Sequence, residues 1–282
     1  MLSRPSRHSE PLRRPLVVTT SWDDGHPLDL RVAELLDKYG LRGTFYIPCR
    51  GSDAMPVMRP TDIIQLATRF EIAGHTRDHI DLTRVPRDCA AQQILTNKWR
   101  LEDLLGREIS GFAYVRGKYN QTVRDLAEEA GFKYARTVKT FMTRPTVDPF
   151  QCGTTAQFFP HTRATLISNF LSQGPTRERS YILGRLLSDK RLSARLLQVA
   201  KASVRLGGYF HLWGHSWELD TYDLWQEFER FLRELQHFEA QFVTNSAVYT
   251  YFDTTAVGNR LSDTEHPRTN TSDLMEKVRK LV

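Results

Sequence analysis

Short apolar runs alternate with helical segments along the first half of the chain, and this alternation limits the fold more than any other feature. The strand-like runs, rich in β-branched and aromatic residues, are 15–22, 42–48, 70–75, 109–115 and 132–138. The segments with helical spacing are 28–40, 61–69 (with Thr61 as the predicted cap), 87–106 and 120–131. Such alternation is typical of a parallel sheet, so we predict an α/β fold, most simply a closed or nearly closed β/α barrel.

The stretch from 141 to 206 interrupts the alternation of predicted strands and helices. It opens as a proline-containing loop and turns helical from about residue 163. Its amphipathic part, 180–206, is rich in Arg and Lys. Two interpretations stay open for the basic region 177–205: solvated helices packed on the sheet, or a surface that faces phosphate groups or a membrane.

The later part of the chain returns to the α/β pattern. Its predicted elements are a strand at 207–215, a helix at 221–236 and a final strand with its trailing turn at 240–252. We therefore expect one barrel domain. Its predicted limits are a flexible segment at 1–15, the barrel at 16–253 with an insertion at about 141–206, and a polar tail at 254–282.

Composition narrows the class of protein. The chain has 282 residues, of which 40% are hydrophobic, enough for a full core. Its three cysteines form no CxxC pair, so a cysteine zinc site or a disulfide framework is not expected. No run of about 18 apolar residues and no apolar leader occurs, so we predict no membrane span and a cytoplasmic location. The net charge of +6 is compatible with a solvated surface or with attraction to an anionic partner, and we expect no nucleic-acid partner.

Chemically active side chains gather at three predicted strand ends. The first strand ends in Asp23 and Asp24, the third in GHTRDH with His75 and His79, and the late strand in HLWGH with its two histidines. The carboxyl ends of parallel strands meet at one edge of a sheet, where active sites lie. One aspartate and two histidines leave positions open on a divalent metal ion. A metal would also explain the paired carboxylates, because one would bind the cation and the other would stay free as a base.

Three segments resemble the polysaccharide deacetylase family, the carbohydrate esterases related to chitooligosaccharide deacetylases. SWDDGH resembles the first family motif, GHTRDH the second, and GFAYVRGKYNQTVRDLAEEAGFKYART the third with the helix and strand after it. The resemblance runs from about residue 16 to 250, without most of 141–206. It implies a distorted (β/α) barrel with one divalent metal ion, usually zinc, and removal of N-acetyl groups from amino sugars.

The resemblance also implies roles for individual residues. Asp23 matches the catalytic base, and Asp24, His75 and His79 match the metal ligands. His215 best matches the general acid, with His211 as its competitor, because strand ends rather than strand middles meet the substrate.

The third motif departs from the family pattern. Ala113 stands where the family has an arginine, and Val115 stands where it has a proline. Arg136, on the next strand, either replaces that arginine beside Asp23 or pairs elsewhere. The backbone N–H of Arg116 is a candidate to hold the oxyanion. The residues expected to contact substrate are Tyr114, Arg116, Arg136, His211 and Trp217.

We therefore expect a metal-dependent de-N-acetylase that acts on an amino sugar, in a glycan precursor or an oligosaccharide. A phosphate on that substrate would suit the basic region 177–205. Two alternatives remain. One is hydrolysis of another small amide, ureide or imide, as in allantoinase-like enzymes. The other is a non-catalytic carbohydrate-binding relative, which would lack the base or a metal ligand.

Overall fold

The computed structural model describes residues 15–51 and 55–256. Eight strands form one sheet in which every strand pair is parallel. The strands are β1 (Leu16–Trp22), β2 (Thr44–Ile47), β3 (Glu71–Gly74), β4 (Gly111–Ala113), β5 (Tyr134–Arg136), β6 (Ala156–Gln157), β7 (Tyr209–Gly214) and β8 (Ala240–Phe242). The predicted strand positions through β5 are confirmed, although most strands are shorter than the apolar runs that contain them.

The sheet curls around β1, whose seven residues are all buried. The strand order is β5-β4-β3-β2-β1-β7-β6, and β8 pairs with β1 as well. On one side β1 pairs with β7 over most of its length. On the other side its first residues pair with β8 and its last two, Ser21 and Trp22, pair with β2. This arrangement confirms the predicted distorted β/α barrel.

Helices cover the outside of the sheet, as the alternating pattern predicts. They are α1 (Asp29–Lys38), α2 (Pro60–Leu66), α3 (Arg87–Leu105), α4 (Gln121–Glu129), α5 (Arg163–Ser172), α6 (Arg177–Leu186), α7 (Leu192–Leu206), α8 (Ser216–Thr221), α9 (Trp225–Leu235) and α10 (Asn245–Ala256). The predicted stop of α3 is confirmed by Gly106, with a φ of 64°. The Asn120 cap of α4 is confirmed by a bond from the Val123 N–H to its side chain.

The insertion contributes α5, α6, α7 and the short strand β6. The continuous amphipathic stretch 180–206 is two helices, which separate between Leu186 and Leu192. Leu196, Val199 and Ala200 of α7 are buried, so this helix packs onto the barrel with its apolar face. The helical insertion is thus confirmed, while strand β6 was not predicted.

Three predictions about single elements are wrong. Thr61 does not cap α2, because Pro60 begins that helix and Arg59 precedes it without a side-chain cap. The segment 221–236 does not form one helix, because α8 and α9 share it. The segment 240–252 is a strand only to Phe242, and then becomes α10.

The described helices include none that is long and apolar enough to cross a membrane. The predicted flexible segment 1–15 and polar tail 254–282 lie outside the described residues, apart from residue 15 and residues 254–256.

Large aromatic side chains fill the core, among them Trp22, Phe45, Phe112 and Phe158.

Candidate active site

The ends of β1, β3 and β7 meet at one cavity of about 850 Å³. Its wall includes most of the residues predicted to be functional, namely Asp23, Asp24, His75, His79, Arg116, His215 and Trp217. This meeting follows from the topology, since β3, β2, β1 and β7 are neighbours in a parallel sheet and all end on the same side.

Asp24, His75 and His79 form a compact group of ligand atoms, which all lie within 4.8 Å of one another. The Asp24 Oδ1 atom lies 2.9 Å from His79 Nε2 and 3.6 Å from His75 Nε2. His75 Nδ1 lies 2.8 Å from the Ala113 carbonyl oxygen. A carbonyl oxygen only accepts, so Nδ1 carries a proton and Nε2 is the ring nitrogen that faces Asp24.

This arrangement fits a divalent cation. His75 Nε2 and Asp24 Oδ1 face each other at 3.6 Å, so one cation between them could bind both atoms. The other oxygen, Oδ2, accepts a hydrogen bond of 3.0 Å from the Trp217 indole N–H, which fixes the carboxylate orientation. Ligating histidines and carboxylates in metal sites have such outer hydrogen bonds. One carboxylate and two imidazoles are also a donor set that suits zinc or a similar metal.

The backbone around this group is strained in a way that re-aims its side chains. Among the described non-glycine residues, only six have positive φ, and four of them are Asp24 (76°), Thr76 (68°), His79 (51°) and Arg116 (55°). Adjacent side chains on an extended strand point in opposite directions. The left-handed turn at Asp24 therefore allows Asp23 and Asp24 to reach the same cavity, and strain of this kind is common at functional sites.

The ionised form of Asp24 is strongly favoured. Burial opposes it, but the nearby side chains of His75 and His79 outweigh burial and hold the pKa of Asp24 well below its usual range. A carboxylate that stays ionised at any ordinary pH is available as a metal ligand.

Asp23 has a different partner. The Arg136 guanidinium donates a hydrogen bond through Nη2 to Asp23 Oδ1, and the side chains are 0% and 5% exposed. Arg136 also lies over the rings of Tyr46 and Trp213, 5.0 and 5.2 Å from their centroids. The two neighbouring carboxylates therefore have different charge partners. Asp23 is paired with an arginine, and Asp24 lies beside two histidines.

His215 completes the group from the end of β7. Its Nδ1 lies 2.9 Å from Glu218 Oε2, and its Nε2 lies 3.9 Å from Asp24 Oδ2. Burial disfavours the charged imidazole, but the hydrogen bond with Glu218 and the charge of Asp24 outweigh it and raise the pKa of His215 to about 9. Because Glu218 only accepts when ionised, the protonated ring directs its remaining N–H away from Glu218.

Three residues expected to contact substrate lie away from the cavity wall. His211 is fully buried, and its ring nitrogens bond Ser21 Oγ at 2.8 Å and Tyr209 OH at 2.9 Å. Burial, with the charge of Arg136, lowers the pKa of His211 to about 3, so it is a neutral core residue.

Tyr114 is also fully buried, and its hydroxyl donates to the Phe150 carbonyl at 3.1 Å. Arg136 is enclosed beside Asp23. Other side chains cover these three residues, so none of them reaches the cavity wall. Arg116 and Trp217 do line the cavity, as does His215 in preference to His211.

Sequence reasoning missed several residues near the site. Glu218 follows His215 by three positions at the start of α8, and this spacing alone was a usable signal. Gln157 and His161 join the group through β6: Gln157 Nε2 donates to Glu218 at 3.0 Å, and its Oε1 lies 2.9 Å from His161 Nε2. No local pattern marked these two, because the insertion brings them to the cavity.

A family model described as polysaccharide deacetylase matches residues 12–135. A comparison with curated proteins finds no match.

Solved structures share the fold at low sequence identity. A Mycobacterium smegmatis protein assigned to the polysaccharide deacetylases is 15% identical, with a TM-score of 0.59 over 95% of this chain and 100% of that one. The chitin deacetylase from Colletotrichum lindemuthianum is 13% identical, with a TM-score of 0.55 over 83% and 88%.

A family 4 acetyl xylan esterase from Clostridium thermocellum, solved in complex with a cobalt ion, is 14% identical, with a TM-score of 0.55 over 83% of this chain and 91% of that one. At these identities the likeness supports the barrel fold, and the family assignment rests on the matched segment with its two motifs. Residues 12–135, somewhat less than half of the chain, match the polysaccharide deacetylase family, whose members are hydrolytic enzymes.

Proposed function

We propose that this protein is a divalent-metal-dependent de-N-acetylase that hydrolyses the acetamide of an N-acetylated amino sugar, in a glycan or a glycan precursor. One observation carries the proposal: three differently paired groups face a single cavity. They are the Asp24, His75 and His79 cluster, Asp23 with Arg136, and His215 with Glu218. Amide hydrolysis requires an activated water, a base and an acid, and these three groups match that requirement.

Asp24, His75 and His79 would hold the metal, and zinc is our first choice because of the mixed nitrogen and oxygen donors. The structural relative solved with a cobalt ion supports a divalent cation in this fold. When bound, the cation supplies Lewis acidity, which polarises the amide carbonyl and lowers the pKa of water.

Asp23 acts as the general base in this proposal. It has to accept a proton from the attacking water, and its pairing with buried Arg136 holds its side chain in one orientation. A fixed base within reach of its proton contributes more than a mobile one, because orientation entropy is lost before the reaction starts.

His215 acts as the general acid. The amine is a poor leaving group until its nitrogen is protonated, and protonated His215 can supply that proton. Glu218, which bonds Nδ1, keeps the ring charged and leaves Nε2 on the cavity side. The backbone N–H of Arg116, at the cavity wall, is our candidate donor to the developing oxyanion.

The experiment is an acetate-release screen with purified protein that has been stripped of metal and reloaded with zinc, cobalt or no metal. N-acetylated amino sugars and chitooligosaccharides should release acetate and free amine in equal amounts only with metal present. Ureides and imides belong in the same screen, because release from those alone would favour the allantoinase-like alternative. Metal binding without any turnover would favour a carbohydrate-binding relative.

A further inference from the structure

The cavity continues past the metal ligands to a second end that the insertion builds. Leu166 of α5, Leu186 of α6 and Leu192 of α7 line this end, together with His161 and Arg195. Ligand cavities typically measure roughly 300–1,000 Å³, and at about 850 Å³ this one has room for more than an acetamide.

Arg195 is the cation of this second end, and its hydrogen-bonding capacity is largely unused. Its Nη1 makes one long contact of 3.4 Å with the Leu186 carbonyl oxygen, and its Nε is buried without a hydrogen-bond partner. Within residues 15–51 and 55–256, no carboxylate lies within the 4.0 Å of an ion pair with it. Burial lowers the pKa of Arg195, but a guanidinium stays protonated at any pH at which the protein is folded.

The neighbours of Arg195 do not neutralise it. Asp189, whose charge favours protonated Arg195, is exposed and does not line the cavity. His161 is held by Gln157, and burial lowers the pKa of His161, with Glu218 opposing and the charge of Arg195 adding to the effect. His161 is thus neutral near pH 7. The Arg195 guanidinium is thus half-buried, has unpaired N–H groups and lies beside a neutral imidazole and leucine side chains. Such a site is suited to bind an oxyanion.

The other basic residues of the insertion lie elsewhere. Lys190 and Arg191 are exposed, and Arg185 donates to the Tyr181 hydroxyl at 2.6 Å on a different surface. None of the three lines the catalytic cavity. Of all the basic residues in 177–205, only Arg195 lines the catalytic cavity.

We infer that Arg195 binds an oxyanion, phosphate or carboxylate, carried by the sugar whose acetamide lies at the metal site. This inference rests on the proposed function and names its substrate class: an anionic N-acetylated amino sugar. Arg195 and the metal-ligand residues line the same cavity, so one substrate could reach both.

The test compares Arg195→Gln with a control variant, Arg191→Gln. Arg191 is exposed and directly precedes α7, the helix that contains Arg195. KM is measured at low salt for N-acetylglucosamine, N-acetylglucosamine 1-phosphate and N-acetylmuramic acid, the last two carrying a phosphate and a carboxylate. Arg195→Gln should raise KM about 10-fold or more for at least one anionic sugar, with little change in kcat and none for the neutral sugar. Arg191→Gln should change none of these values. Equal KM effects on neutral and anionic sugars, or no effect, would overturn the inference.

A binding measurement separates this inference from the proposed function. Inorganic phosphate is titrated into metal-free protein while the His161 imidazole signals are followed by NMR. Phosphate should shift those signals in wild type and in Arg195→Lys, and should not shift them in Arg195→Gln. If no sugar releases acetate but this pattern holds, the de-N-acetylase proposal fails and the anion site stands. If Arg195→Gln does not fold, wild type and Arg195→Lys are titrated with phosphate again at raised salt. A phosphate response that is the same at low and at raised salt would contradict an electrostatic site.

Discussion

The buried pair of Arg136 and Asp23 makes a quantitative prediction about stability. Arg136→Met keeps most of the side-chain volume but leaves the Asp23 carboxylate, 5% exposed, without its cation. Breaking a buried pair by removing one partner costs about 3–5 kcal/mol, because the remaining charge stays desolvated. The lost contacts with the rings of Tyr46 and Trp213 add to that cost.

The assay is urea unfolding of metal-free protein, so that metal binding does not contribute to the free energy. We expect Arg136→Met to lower the free energy of unfolding by about 3–5 kcal/mol. The matched surface control is Arg87→Met, which breaks the half-exposed pair with Glu129 and should cost less than about 1 kcal/mol.

A double-mutant cycle isolates the electrostatic part. Asp23→Asn combined with Arg136→Met removes both charges, and should be more stable than the sum of the two single changes by about 2–3 kcal/mol. If the single effects simply add, the two side chains do not depend on each other. Our account of how Asp23 is held would then be refuted.

Three further predictions concern neighbouring residues. Glu218→Gln removes the main cause that raises the pKa of His215, so the alkaline limb of the pH–rate profile should move about one unit or more to lower pH; an unmoved limb contradicts this. Burial raises the pKa of Asp29 well above its usual range, so the folded protein loses stability as pH rises above about 4. Asp29→Asn should therefore stabilise more at pH 8 than at pH 4 in urea unfolding. Gly117→Ala, at a φ of 66° and with its Cβ 2.4 Å from Val138 Cγ2, should cost about 1–3 kcal/mol and lower kcat/KM, whereas Gly40→Ala has open space and should keep activity.

The sequence predicted the parallel sheet and the metal cluster because both depend on short patterns. Alternation of apolar runs and helices identifies β1 to β5, and the carboxyl ends of parallel strands bring Asp24, His75 and His79 together. The partner of Asp23 was left open between two possibilities, since a strand-end arginine can point in several directions. The pairing itself is visible only in three dimensions.

Long-range packing explains what the sequence did not predict. Residues 245–252 contain β-branched and aromatic residues typical of strands, yet they form α10. The Asn245 side chain donates to Tyr46 OH at 2.8 Å and its backbone N–H bonds Thr44 at 3.0 Å, while Val248 packs against Val17 and Tyr209. These contacts override local propensity. Likewise, Arg195 and His161 reach the cavity only because the insertion folds back over the barrel.

The central claim is that the two adjacent aspartates have unequal tasks at one metal site. The most direct measurement is zinc stoichiometry and acetate release, determined side by side for Asp23→Asn and Asp24→Asn. Our account predicts that Asp23→Asn binds one equivalent of zinc and loses most acetate release, whereas Asp24→Asn loses both. Equal loss of zinc in the two variants, or full acetate release by Asp23→Asn, would contradict it.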